Sequence, residues 1–327
     1  MPEDRAIAAA AARLAAGELV AFPTETVYGL GADATNPRAI AKIFALKGRP
    51  ADHPLIVHIA DPATLGEWAS VIPPQAKTLA SRFWPGPLTL ILARSGRVPG
   101  AVTGGQDSVG IRCPSHAVAQ ALLREFARVG SGALAAPSAN KFGHVSPTTA
   151  QHVREELGED LAILDGGPCE VGLESTIVDL SRGAPVLLRP GGISREEIEA
   201  ALDAKLLERD AHAPRASGSL AAHYAPRTAL VLVASGDLDE EVDAPANVAV
   251  LALREPRGGI RVTSWITAPA DPARYGHDLY ANLRTLDASG AKRIVVEAPP
   301  ALAAWEAVND RLARAAAGAT GELDDEP

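Results

Sequence analysis

Residues Leu19 to Ile59 read LVAFPTETVYGLGADATNPRAIAKIFALKGRPADHPLIVHI, and the order of elements in this stretch decides the fold class. Leu19–Phe22 and Leu55–Ile59 are short apolar runs of the length and make-up of buried strands. Between them Asn36 supplies an N-cap, Pro37 a first-turn proline and Gly48 a stop. Strand, helix and strand in succession indicate an α/β domain. Gly29-Leu30-Gly31-Ala32-Asp33-Ala34 has the letters of a dinucleotide-binding turn, but Thr24–Tyr28 separates it from the strand and the next helix starts only at Pro37. That fingerprint needs strand, turn and helix in immediate succession, so the glycines are assigned to a turn or to close packing.

The alternation continues outward. Leu88–Leu92, Val109–Arg112, Leu134–Ala136, Ala162–Leu164, Thr176–Leu180 and Val186–Leu188 read as strands. A helix is expected to open at Ser146–Pro147 and close near Gly158, and Ser194 with Glu197 forms a capping-box pattern. From Glu208 to Arg227 the chain turns to Ala, Pro, Ser, Gly and His without a period, the composition of a linker. Beyond it Ala229–Val233, Val248–Leu251 and Arg293–Val296 read as strands, with helices around Arg274–Ala288 and Leu302–Ala316. The expected division is a large α/β domain over 1–207, a linker or lid over 208–227, a smaller Rossmann-like unit of parallel strands over 228–318, and a disordered acidic tail over 319–327.

Composition narrows the function. The chain has 327 residues, 47% hydrophobic and only 4% aromatic, so aliphatic side chains must do most of the packing. A net charge of −9 argues against coating nucleic acid through bulk electrostatics. Cys113 and Cys169 show neither a paired nor a metal-ligand spacing and read as small buried thiols. The residues after Met1 are too acidic for a secretory or transit signal, and no apolar stretch reaches the roughly 20 residues of a membrane span. A cytoplasmic protein is the expectation.

The chemistry-bearing residues gather at element ends, where α/β domains form their ligand crevices. Lys47 and Arg49 flank Gly48, Arg112 ends Ser108–Arg112, Ser138 and Asn140 follow Leu134–Pro137, and Arg189 ends Val186–Arg189. Several cations converging in an acidic protein suit a polyanion. Each also has a plain structural explanation. Lys47 complements a helix C-terminus, Arg112 and Arg189 can pair with carboxylates, and Ser138 and Asn140 can be turn residues. Ser146 can be an N-cap, with or without a phosphate before it. His53 and His58 fall on opposite faces of a strand, which argues against a two-histidine metal site.

Six peptides carry a family resemblance. They are Phe22–Leu30, Lys47-Gly48-Arg49-Pro50, Pro54–His58, Trp84–Thr89, Pro137-Ser138-Ala139-Asn140 and Glu174–Asp179. In this order they resemble the YrdC-type threonylcarbamoyl-AMP synthases, and His223-Tyr224-Ala225-Pro226 with the unit after it resembles that family's longer form. The resemblance implies a large twisted-sheet YrdC-like domain with a concave cleft. It implies condensation of L-threonine, bicarbonate or CO2, and ATP with Mg2+, giving threonylcarbamoyl-AMP and pyrophosphate. The product would pass to a separate transferase complex that modifies tRNA, with no membrane involved. By motif matching, Arg49, Ser138, Ser146 and Arg189 would contact ATP, with Lys47 and Asn140 completing a catalytic cluster and Ser108 and Tyr224 on the nucleotide side. Thr26, His58, Arg112, Ala136 and Ser175 would form the threonine site, with no protein-held metal. His53 stands where relatives commonly carry Asn, a substitution that would make a nucleotide contact there sensitive to pH. The ring pair His223-Tyr224 suggests a lid over the nucleotide. Two other readings compete: a carbamoyl-AMP-forming enzyme, and an RNA-binding module, against which the acidic charge and few aromatic residues count.

Overall fold

The computed structural model describes residues 2–243 and 247–319. Two compact units emerge: Met1–Lys141 with Pro147–Ser219, and Phe142–Ser146 with Leu220–Pro327.

The first unit is built on one mixed sheet. Its strands are β1 (Val20–Phe22), β2 (Gly29–Asp33), β3 (Ile56–Ile59), β4 (Leu88–Ala93), β5 (Ser108–Arg112), β6 (Ala133–Ala135), β7 (Ala162–Ile163), β8 (Thr176–Asp179) and β9 (Val186–Arg189), in the order β7-β1-β2-β6-β3-β5-β4-β8-β9. The helix Pro37–Lys47 starts as expected. Asn36 accepts from the N–H groups of Arg38 and Ala39, and Gly48 closes the helix in the left-handed region at φ 64°. Both arms of the Ser194–Glu197 capping box are present. The helix expected to open at Ser146–Pro147 instead spans Ala150–Leu157 and is capped by Thr149, which accepts from the His152 N–H. Ser146 is therefore not its N-cap.

Strand alternation gives the two sheet faces different tasks. On one face Ala21, Leu30, Val57, Leu90, Ile111, Ala135 and Val178 join a single large core. The opposite face is apolar at its two ends. One end packs Val20, Phe22, Leu134 and Ala136 under the helices Pro2–Ala15 and Ala117–Val129, through residues such as Leu14 and Phe126. The other end packs Ile56, Ile91, Ile177, Val186 and Leu188 against Ala213 and Ala216. The 208–227 stretch is thus not one linker. Its first part, to Ser219, belongs to the first unit, because its alanines are small enough to bury on the sheet without any helical or strand period.

β2 was not anticipated as a strand, because two of its five residues are glycine. It pairs antiparallel with β1, setting Gly29 opposite Phe22 and Gly31 opposite Val20. A Cβ on Gly31 would lie 2.9 Å from the Phe22 ring, and one on Gly29 would lie 3.2 Å from it. The glycines serve close packing inside a strand, which excludes the dinucleotide turn on geometry.

The second unit carries a parallel sheet of β10 (Ala229–Val233), β11 (Val248–Ala252), β12 (Ser264–Thr267) and β13 (Arg293–Glu297), ordered β10-β13-β11-β12. β12 is absent from the sequence expectation: Ser264-Trp265-Ile266-Thr267 is a short, half-exposed edge strand. Helices Pro272–Asp287 and Glu306–Ala319 lie near the expected positions. The tail expected to be disordered lies, beyond residue 319, outside the described residues.

Replacing Gly31 by Ala should destabilise the protein by about 1–3 kcal/mol, because the buried Phe22 ring must move. Gly96 has open space around its Cβ position, so Gly96→Ala should change little. Urea unfolding of the two variants beside the parent checks both.

Candidate active site

Between the two apolar ends of that sheet face lies a polar row. Its residues come from adjacent strands at one level: His58 of β3 is opposite Arg112 of β5, and Arg112 is opposite Thr89 of β4. Thr89 Oγ1 is 2.7 Å from Ser175 Oγ, just before β8. Arg189, opposite Ile177 in β9, donates from Nη2 to the Ser175 carbonyl at 2.8 Å and to its hydroxyl at 3.2 Å. All five are buried. Sequence alternation alone places His58 and Arg112 on the face that carries no continuous core; for Arg189 it would give the face of Leu187, and the register shift between Ile177 and Val178 sets Arg189 opposite Ile177 instead.

Each member has a definite electrostatic state or partner. Burial pushes the His58 imidazole down to about 3, with Arg112 acting in the same direction, so the ring is neutral at neutral pH. Its Nδ1 lies 3.1 Å from the Ile56 carbonyl, and its ring meets Phe22 edge-on at 6.0 Å. Arg112 Nη2 lies 2.7 Å from Glu25 Oε1, with side chains 5% and 2% exposed. The contact is a close ion pair outside hydrogen-bond alignment. Thr26 is buried beside Thr24, with hydroxyls 2.9 Å apart, and its N–H donates to Thr24 Oγ1 at 3.2 Å. Ala136 donates its N–H to Ile56 at 2.9 Å and so sits beside the histidine strand.

A second group lies at the end of helix Pro37–Lys47. Lys47 is 2% exposed, and its Nζ donates to the carbonyls of Ser138, at 2.6 Å, and Asn140. Burial, then the charge of Arg49, holds its pKa well below the usual lysine value. The left-handed Gly48 turns the chain so that Arg49 Nη2 reaches the Pro54 carbonyl at 3.0 Å. Ser138 bridges Gly29, Leu30 N–H donates to Pro137, and Ala139 N–H donates to Tyr28. These bonds bring the 137–140 loop alongside the 24–29 segment. His53 is partly exposed, and its pKa is lowered by burial and by Arg49.

A cavity opens beside the row. Gly110 forms its floor, where a Cβ would meet Ile91, Thr89 and Ile56. Ser108, Ile56 and Ile177 line it, and Arg215, Ala216 and Ser217 form one wall. Arg215 is tied there by Gly104, Gln106 and Asp52, and Ser217 accepts from Arg189 Nη1 at 2.8 Å.

Ser146 and Tyr224 fall in the second unit. Tyr224 is 1% exposed, stacks on Tyr280 at 5.8 Å and lies under the Arg311 guanidinium at 5.2 Å. In this structure the ring packs within its own unit. Sequence reasoning missed Glu25 and Thr89. Thr89 had a readable signal, a hydroxyl inside the apolar run Leu88–Leu92. Glu25 had none beyond its place in a turn between two threonines. Among the described residues, no cluster of three or more His, Cys, Asp or Glu suits a metal ion. No helix there is long and apolar enough to cross a membrane.

Comparisons with known proteins agree with this architecture. Residues 12–191 match the Sua5_yciO_yrdC family, described as "Telomere recombination", and residues 193–317 match the C-terminal domain of threonylcarbamoyl-AMP synthase. The chain is 42% identical to the threonylcarbamoyl-AMP synthase of Bacillus subtilis (strain 168), over 96% of this chain and 94% of that one. It is 40% identical to the Pyrococcus abyssi enzyme of the same name, with the same coverage. A crystal structure of P. abyssi Sua5 complexed with L-threonine matches with a TM-score of 0.87 and 38% identity, over 96% of this chain and 94% of that one. These relatives define a nucleotidyl-transferring α/β enzyme. The chain belongs to the threonylcarbamoyl-AMP synthase family, in the form that carries the additional C-terminal domain.

The histidine state gives a testable sign. Folded His58 stays neutral down to about 3, while the unfolded side chain protonates near 6.5. Its contribution to stability is present above pH 6.5 and is lost as pH falls from there toward 3. Urea unfolding at pH 7.5 and pH 5 should show a larger acid loss for the parent than for His58→Gln.

Proposed function

We propose that this chain condenses L-threonine, bicarbonate or CO2, and ATP into threonylcarbamoyl-AMP and pyrophosphate, supplying a separate transferase complex that modifies tRNA. The observation that carries this reading is the buried row His58, Arg112, Thr89 and Ser175, which ends in Arg189. A guanidinium, a neutral imidazole and paired hydroxyls match the carboxylate and hydroxyl of a small polar amino acid. The Lys47, Arg49, Ser138 and Asn140 group, with Arg189, suits a polyphosphate.

The chemistry asks for placement more than for covalent participation. The neutral threonine amine attacks CO2, forming the N–C bond of a carbamate and losing a proton. A carbamate oxygen then attacks the α-phosphorus, the bond from that phosphorus to the α,β-bridging oxygen breaks, and pyrophosphate leaves. Arg112 would hold the α-carboxylate, while Thr26, Ser175 and the Ala136 backbone would fix the remaining polar atoms. Lys47 would act by pinning the Ser138 and Asn140 carbonyls, and Arg49 and Arg189 would meet charge spread over phosphate oxygens. Ser108, Ser146, His53 and Tyr224 remain nucleotide-side assignments, with Tyr224 limited by its burial. Magnesium suits this site as the ATP complex, since the surroundings offer cations and hydroxyls instead of a carboxylate cage.

Pyrophosphate release should require ATP, Mg2+, threonine and bicarbonate together. Omitting each in turn checks this, and equal release without threonine would point to carbamoyl-AMP chemistry or to plain ATP hydrolysis. Arg49→Ala should raise the barrier by about 2–4 kcal/mol at limiting ATP. Its thermal melting, followed alongside, separates lost chemistry from lost fold.

A further inference from the structure

Glu25 has no role in the reading above, yet several distant parts of the chain fix its position. Its side chain is 2% exposed, and Oε1 lies 2.7 Å from Arg112 Nη2. Its other oxygen, Oε2, accepts the Ser115 N–H at 3.2 Å, and its backbone carbonyl accepts the Val171 N–H at 2.7 Å. The carboxylate cannot swing away from Arg112 without giving up the Ser115 N–H, and the Val171 bond holds the backbone that carries it. On the arginine, Nε is buried without a hydrogen-bond partner among the described residues. Held at Nη2, the guanidinium presents its remaining edge in one orientation.

The same contact sets the local charge. Arg112 and Glu25 cancel, His58 is neutral, and Thr26, Thr89 and Ser175 carry no charge. Cys113 and Cys169, also buried nearby, have thiols pushed up to about 11 and about 12 by burial and so stay neutral. Glu174 and Arg189, which flank Ser175 from its sequence neighbour and from β9, bring opposite charges. A desolvated site of zero net charge takes up threonine in its zwitterionic form without leaving an uncompensated charge, and the ammonium yields its proton to bicarbonate or water only afterwards, for attack on CO2. A plain carboxylate or a phosphate would leave such a charge, which is costly where water is excluded.

We propose that Glu25 is a positioning and specificity-determining residue. It fixes Arg112 and cancels its charge, so that this end of the row selects a zwitterionic amino acid over a singly charged carboxylate and does not compete for polyphosphate. The proposal rests on the threonine reading of the row.

Calorimetry on the full chain tests it with L-threonine and with (R)-3-hydroxybutyrate, which keeps threonine's carboxylate and hydroxyl and lacks its amine. The parent should prefer threonine by at least roughly tenfold. In Glu25→Gln, threonine should weaken roughly tenfold and the preference should shrink to within about threefold, since the cation is now uncompensated. ATP should bind at least as tightly as to the parent, because the uncovered charge of Arg112 attracts polyphosphate. Glu25→Asp, which keeps the charge, should retain the preference, and it decides the matter if Glu25→Gln does not fold. An unchanged preference in folded Glu25→Gln, or a lost one in folded Glu25→Asp, overturns the proposal. So does a parent that binds the hydroxy acid as tightly as threonine. A parent that binds no threonine sinks the functional reading itself.

Discussion

Everything in the first unit depends on the register that sets His58 opposite Arg112 and Arg112 opposite Thr89. Because side chains alternate along a strand, that register also sends Val57, Ile111 and Leu90 into the large core. A slip of one residue in β5 would bury Arg112 among aliphatics and expose Ile111 to the site face. Core and site are therefore not separate achievements of the sequence. The apolar residues of each strand choose the register, and the register delivers the polar residues to one level. Helices cover the same face at one end and the Ala213–Ala216 segment covers it at the other, so the row lies in the interval between them.

Burying so much charge needs compensation from specific partners. Arg112 has Glu25 at 2.7 Å, and Lys47 has the carbonyls of Ser138 and Asn140. An isolated cation at such depth would lose several kcal/mol of hydration with little return. The compensation has a structural by-product. Lys47 ties the 137–140 loop to the end of a helix, and Glu25 ties the 24–28 turn to β5. Two loops that carry polar groups are thereby held by the cations they serve, which keeps the site formed without a ligand.

The parts legible in the sequence were those written in local patterns. Asn36, Pro37 and Gly48 announced a helix, and Val- and Ile-rich runs announced most strands. β2 was hidden because Gly29 and Gly31 exist to admit the Phe22 ring, a contact made across a hairpin that local propensity does not record. Ser146 has the look of a cap, but the chain makes another turn before the helix and Thr149 does the capping. For the site, the cations at element ends were visible as types, and their grouping came from the family's motif order. Glu25 could not be found either way, because its meaning lies in a partner 87 positions later, reached only through the fold. The packing of Tyr224 was equally illegible, because its neighbours Tyr280 and Arg311 lie far along the chain.

The chain path adds a constraint that no linear division of domains expresses. Phe142–Ser146 follows directly on the loop carrying Ser138 and Asn140, yet it packs with the second unit. There His144 bridges Ala225, Ala225 N–H donates to the Gly143 carbonyl at 2.8 Å, Phe142 meets the His223 ring at 6.0 Å, and Arg284 reaches the Val145 carbonyl. The backbone thus leaves the first unit at Lys141, returns at Pro147, and leaves again after Ser219. Removing the C-terminal residues alone would strip those partners from a segment that stays behind, two residues from Asn140. A short polar loop inside the first unit would serve connectivity more simply. Threading it through the second unit instead couples the stability of that unit to the backbone next to the Lys47 clamp, by covalent continuity alone.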